Sequence, residues 1–348
     1  MSGIVATLII ISVLVLIGAK SIERTEINSF MSIEQTEFLR AVACIIIIFV
    51  HIPVQYGNVL QNLIGSFAYV GVMIFFMISA YGCCWGADNK KDYIKFFWKK
   101  RLLSLLVPAF IINFIEMIVK SIFMKKENTY MVLVNINYYI YAILILYIVF
   151  YVFYKIKWQD KYRKITISII AITLSLIGFF TKNTFLSYWP SESMGFVLGI
   201  LLYSYREKFS KFLRSNTVKK TAIFLSLSIL LGITYLKIKL VFFWGDYVVR
   251  VILGYILIIL VFLMLSRYTI KGKILKLGKI SWEIYLAHIM IINTLLEIIN
   301  QRRLNISSNV FIITVFLLTL LVSGFVYKMT DIILKRVNTK QRSKSSEN

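Results

Sequence analysis

Apolar runs of membrane-crossing length recur along this 348-residue chain, at about 39–56, 66–87, 102–123, 130–153, 165–180, 192–205, 221–236, 247–266, 281–299 and 309–334, with an eleventh at 4–19. Roughly 20 apolar residues in helical form span the ~30 Å hydrocarbon core of a bilayer. In lipid every backbone N–H and C=O must find a partner inside the chain, and a helix does this within one segment. The composition agrees: 59% of residues are hydrophobic, against about half in a soluble domain. The predicted fold class is therefore all-α, a polytopic integral membrane bundle of ten helices plus one extra N-terminal helix. Three parts follow: residues 1–34 hold the extra helix and its connection, 35–335 the ten-helix domain, and 336–348 a disordered basic cytoplasmic tail.

Lysine and arginine test that assignment independently, because they accumulate on the cytoplasmic side of span ends. Of the 40 Lys and Arg, 31 fall on one alternate set of connections and termini, 8 fall on the other, and Arg250 lies within a span. A span missed or invented mid-chain would destroy this alternation. It predicts a multi-pass cell-membrane protein with its C-terminus inside, Arg40 at the cytoplasmic start of the first core helix, and the N-terminus outside. The net charge of +24 is thereby accounted for by orientation and attraction to anionic membrane lipid rather than by nucleic acid. The opening MSGIVATLIIISVLVLIGAK lacks a basic start, so a retained helix is expected in place of a cleaved signal. Cys44, Cys83 and Cys84 lie in or at the ends of spans and suggest neither a disulfide framework nor a metal site.

Chemistry concentrates in the two histidines, His51 and His288, both inside apolar runs. Imidazole trades protons near neutral pH, and ionisable groups at membrane depth are functional candidates by default. Eleven residues separate Arg40 from His51. A helix brings them within about 20° on its circumference and sets His51 about 16 Å deeper. Ser281, Tyr285 and His288, at i, i+4 and i+7, form a second stripe at similar depth, so the two imidazoles are expected to face one cavity. Glu297 falls on the face opposite His288. Glu116 and Arg250 both belong to outer-half positions, where they either pair or line an acceptor path. Trp189, Trp244 and Asp246 lie near the outer surface, a position that suits interfacial anchoring.

Several segments resemble, in order, the motifs of the membrane-bound acyltransferase 3 family. Glu37, Arg40, ten apolar residues and His51 are similar to its opening helix. FFMISAYGCCWG (Phe75 to Gly86) is similar to the second-helix FFxxSG pattern, with Ser79 and Tyr81 retained and Ala80 where Gly is usual. FFWKKRLLSLLVPAF (Phe96 to Phe110) resembles the basic entry to the third helix, keeping Arg101 and Pro108 but with Ser104 in place of a second Arg. Gly195 to Gly199 resembles a sixth-helix element, and GKISWEIYLAHIMI (Gly278 to Ile291) resembles the ninth-helix signature, with Ser281, Trp282, Tyr285, Leu286 and His288 in place. The similarity runs from about residue 35 to 335 and leaves the helix at 4–19 outside.

The resemblance implies an O-acyltransferase, usually an O-acetyltransferase. It would take its group from cytoplasmic acyl-CoA, in the first instance acetyl-CoA, as a co-substrate with no permanently bound cofactor. The acceptor would be a hydroxyl of a cell-surface or lipid-linked polysaccharide such as an exopolysaccharide. A hydroxyl needs a base within hydrogen-bond reach to attack a thioester. His51 is the expected base, and burial, which disfavours the charged ring, is expected to keep it ready to accept a proton. Arg40 and Arg101 are expected to bind or orient the donor through its phosphates. His288, Tyr285, Ser281, Glu37, Ser79 and Tyr81 are expected to support the site. A transporter or flippase of a glycan or lipid-linked precursor is the alternative that the many spans and buried charges also fit, although such carriers often show inverted repeats and broken helices.

Overall fold

The computed structural model describes residues 3–20, 22–24, 30–124, 129–156, 158–181 and 189–346. Helices occupy all eleven positions that the apolar runs mark. In chain order they are α1 (Ile4–Ala19), α2 (Ile33–His51), α3 (Val59–Ser66), α4 (Tyr69–Asn89), α5 (Phe97–Met124), α6 (Tyr138–Lys155), α7 (Asp160–Thr181), α8 (Pro190–Ser204), α9 (Arg206–Arg214), α10 (Thr217–Ile238), α11 (Arg250–Leu265), α12 (Ile274–Lys279), α13 (Ser281–Gln301) and α14 (Ser308–Ser346). Among the described residues, eight helical segments are long and apolar enough to cross a membrane. α2 carries Glu34, Glu37 and Arg40 in its first turns, and α1 and α8 have 16 and 15 residues. The protein is an all-α polytopic membrane protein.

Two boundaries differ from expectation. The first core span stops at His51 instead of running to 56, because Ile52 precedes Pro53 and takes an extended backbone (φ −61°, ψ 125°), as residues before proline do. The chain then makes a short turn and re-enters through α3, whose start is closed by a reciprocal cap between Asn58 and Gln61. At the other end of the chain, α14 continues past the expected span end at 334 to Ser346. No Gly or Pro follows Gly324 to stop it.

α4 sits at the centre, buried on most of its circumference. Lipid tails are as apolar as leucine, so helices in a bilayer associate through close packing and small residues. α8 meets α4 in that way. A Cβ on Gly195 would lie 2.1 Å from the Met73 carbonyl oxygen, and one on Gly199 would lie 2.3 Å from that of Met77. The Gly195 to Gly199 element is therefore a contact surface. A buried ion pair between Glu192 of α8 and Arg250 of α11 fastens a neighbouring interface. Glu116 pairs with Lys120, one turn along its own helix, at 2.5 Å. The Glu116–Arg250 pairing considered from sequence is therefore not formed.

α1 is held at both ends. At its start the Ala6 amide donates to Asn309 Oδ1 (3.1 Å), and Asn58 Nδ2 donates to Thr7 Oγ1 (3.0 Å). Past its end, β1 (Ile22–Arg24) pairs antiparallel with β2 (Tyr268–Ile270), between α11 and α12. α1 thus runs antiparallel to α2 and parallel to α14, with its C-terminal end beside the connection that carries Lys271, Lys273, Lys276 and Lys279. We call this the basic end of the bundle and the opposite one the far end.

Candidate active site

His51 is the last residue of α2, on the side away from the basic end, and lies level with the first half of α13, where His288 stands. Its ring is exposed, which corrects the expectation of a buried imidazole: the helix ends there, and no further turn covers it. His288 on α13 is the buried partner, with 0% of its surface accessible. The two rings meet edge to face, with centroids 4.9 Å apart, as the matched depths of the two stripes predict.

The hydrogen bonds fix the tautomers. His51 Nδ1 lies 2.8 Å from the Ile47 carbonyl oxygen and His288 Nδ1 lies 3.1 Å from that of Ile284. A carbonyl only accepts, so each Nδ1 carries a proton, and in a neutral ring Nε2 then holds the lone pair. His288 Nε2 faces His51 Nδ1 at 3.3 Å and shares its proton with the Ile47 carbonyl. The free lone pair of the couple is on His51 Nε2, at the exposed ring. Burial thus encloses the inner ring, while the outer residue is exposed.

A cavity of about 380 Å³ opens at the basic end among α2, α4, α5, α6, α13 and α14. Arg40, Ser79, Arg101, Ser281 and Lys279 all line it. Arg101 is held firmly: Nη2 donates to the Tyr93 hydroxyl at 2.7 Å and to Cys83 Sγ at 3.2 Å, with the guanidinium 5.1 Å from the Tyr147 ring centroid. Arg40 makes no hydrogen bond or ion pair among the described residues. It feels the like charge of Arg101 and the opposite charge of Glu37. Two guanidiniums converging on one open space, one of them unpaired, favour an anion with phosphate-like geometry. Ser79 lines the same space as the phenols of Tyr139 and Tyr147.

The α13 stripe joins the two centres. Ser281 lies in the cavity wall, and its carbonyl accepts from Cys44 Sγ at 3.1 Å. The Tyr285 ring packs 5.3 Å from Tyr139 and 6.0 Å from Phe75, both cavity residues, and 5.8 Å from His288. Aromatic rings therefore separate the cationic cavity from the histidine pair. Glu37 stands outside the cavity wall but lends charge to Arg40 and Lys279, and its backbone touches Gly278 so closely that a Cβ there would lie 2.0 Å from the Glu37 carbonyl oxygen. Tyr81 points elsewhere, against Phe30 and Tyr203, and is not brought to the site. Ser104, at the position of the missing second Arg, is exposed and bonds the Arg101 carbonyl.

Sequence reasoning passed over Glu283. It is 4% exposed, lines the cavity, and its Oε2 has no hydrogen-bond partner. Its signal in the sequence is an acid in the first turn of an apolar helix.

Comparison with known proteins decides the family. The family model for acyltransferase 3, described as an acyltransferase domain, matches residues 33–328. The chain belongs to the acyltransferase 3 family. It is a membrane acyltransferase, and the match takes in His51, His288, Arg40, Arg101 and Glu283 while leaving α1 outside. No curated protein and no solved structure matches the chain.

Proposed function

We propose that this acyltransferase 3 protein is an O-acyltransferase that moves an acyl group, acetyl in the first instance, from cytoplasmic acyl-CoA to a hydroxyl of a cell-surface or lipid-linked polysaccharide. One observation carries the reading. The Ser281–Tyr285–His288 stripe connects a cavity lined by two guanidiniums with a histidine pair about 10 Å further along α13, away from the basic end, whose outer residue is exposed. Donor and acceptor would thus enter from opposite sides.

In this reading Arg40 and Arg101 hold phosphate oxygens of the donor, with the basic end cytoplasmic. The acyl thioester is carried about 16 Å along α2 from Arg40 toward His51, and the rings of Phe75, Tyr139 and Tyr285 must part to admit it. His51 Nε2 takes the proton of the acceptor hydroxyl as its oxygen attacks the thioester carbonyl carbon. The C–O bond forms, the C–S bond breaks, and the proton passes to the departing thiolate. His288 Nε2 keeps His51 Nδ1–H in place and faces the positive charge that forms on the ring.

The test is the acyl-ester content of the surface polymer in a strain carrying His51→Ala at wild-type expression. The expected result is loss of at least about 10²-fold of the transfer rate, the usual contribution of a positioned base, with the amount of polymer unchanged. Acylation at the wild-type level would remove His51 from the chemistry, and loss of the polymer itself would favour a carrier.

A further inference from the structure

α1 lies outside the matched family region and is apolar on every side, so the core motifs give it no task. Between its middle turns and the bundle runs an apolar groove of about 530 Å³. Ile9 and Ile17 of α1, Ile48 of α2 and Phe316 of α14 are among its walls, and its charged residues are Lys273 and Lys276. No acidic side chain lines it. Both lysines are exposed, and neither side chain makes a hydrogen bond or ion pair among the described residues.

The dimensions match one leaflet. From Ile9 to Ile17 the helix rises about 12 Å, and from Ala41 to Ile48, also in the wall, about 10 Å. Half of a ~30 Å hydrocarbon core is about 15 Å. Both cations sit at the basic end, beside the β1–β2 pair, where a lipid headgroup of that leaflet lies. At its inner limit the groove reaches Ile48 and Ile284, and the Ile284 carbonyl is the group that holds His288.

We propose that this groove binds an acyl chain of an anionic phospholipid, with the lipid phosphate paired to Lys273 and Lys276. The apolar walls offer nothing to a polar ligand, and two unpaired cations without an opposing carboxylate select a headgroup of net negative charge. The extra helix then closes one side of a lipid site whose buried end braces the carbonyl behind the inner histidine. The proposal stands apart from the acyl-transfer reading, since lipid retention is measured without turnover.

The experiment uses full-length purified protein and native mass spectrometry with phosphatidylglycerol and phosphatidylcholine of identical chains. Wild-type protein is expected to retain phosphatidylglycerol preferentially. Lys273→Gln with Lys276→Gln, both at exposed positions, is expected to weaken that retention roughly 20-fold, from about a fivefold contribution per lysine. Val13→Trp, which fills the groove with the lysines intact, is expected to abolish retention of either lipid at this site. Lys208→Gln with Lys211→Gln, elsewhere on the basic end, is expected to change nothing. The proposal is overturned by unchanged phosphatidylglycerol retention in the double lysine or tryptophan variant, by an equal loss in the Lys208/Lys211 control, or by displacement of the lipid with millimolar inorganic phosphate, which would mark a bare anion site.

Discussion

Arg40 and Arg101 bring the same charge into one cavity and differ in what holds them. Arg101 is fixed by Tyr93, Cys83 and the Tyr147 ring, whereas Arg40 makes no hydrogen bond or ion pair among the described residues. Arg40→Gln is therefore expected to raise the KM for acyl-CoA by about tenfold, the loss of one charge-assisted contact of ~1.4 kcal/mol, with kcat changed much less; acyl-transfer rates in membrane vesicles across donor concentrations check this. His288→Ala is expected to act in the opposite column. It removes the group that keeps the His51 proton in place and lowers kcat by about 10²-fold with donor KM unchanged. Glu283 offers a third contrast. A buried carboxylate with an unbonded oxygen costs stability, so Glu283→Gln is expected to raise the thermal midpoint in detergent while lowering turnover at least tenfold. A variant that is more stable and fully active would show that the carboxylate serves no step.

Among the elements, the interface of α4 with α8 depends on two missing side chains. Gly195→Ala places a methyl within 2.1 Å of the Met73 carbonyl oxygen, and backbone cannot yield as a flexible side chain does; a loss of about 1–3 kcal/mol is expected. Gly82, on the same α4, meets nothing within 4 Å of an added Cβ. Gly82→Ala should therefore be neutral or stabilising by up to ~1 kcal/mol from helix propensity alone. Thermal unfolding of the two variants side by side separates close packing from a general intolerance of change in α4. The end of α2 shows the same dependence on local chemistry. Pro53 stops the helix so that His51 becomes its exposed terminus, and the reciprocal cap of Asn58 and Gln61 restarts the chain as α3.

For the molecule as a whole, the lysine and arginine alternation predicts that the basic end faces the cytoplasm. Single cysteines placed at Lys208 and at Val59, in a background without Cys44, Cys83 and Cys84, are expected to react with a membrane-impermeant maleimide from opposite sides: position 59 in intact cells, position 208 only after permeabilisation. The reverse pattern would invert the direction of acyl transfer. The β1–β2 pair and the Asn58 and Asn309 contacts fix the direction of α1 against the bundle, so the two positions report on α1 as well.

Sequence alone determined the fold class, the positions of the eleven helices and the family, because hydrophobic length and ordered motifs are properties of the chain read in one dimension. Helical periodicity also placed Ser281, Tyr285 and His288 on one stripe and set the two histidines at one depth, since both follow from rise and rotation per residue. What only the tertiary structure decided is which faces meet and what each meeting leaves uncovered. Glu192, rather than Glu116, reaches Arg250. Tyr81 turns to Phe30 and Tyr203, away from the cavity. Glu283 enters the cavity with its Oε2 unbonded, and of the two imidazoles it is His288 that is buried while His51 stays open. Burial and pairing depend on neighbours distant in the chain, and a single helix's periodicity holds no information about them.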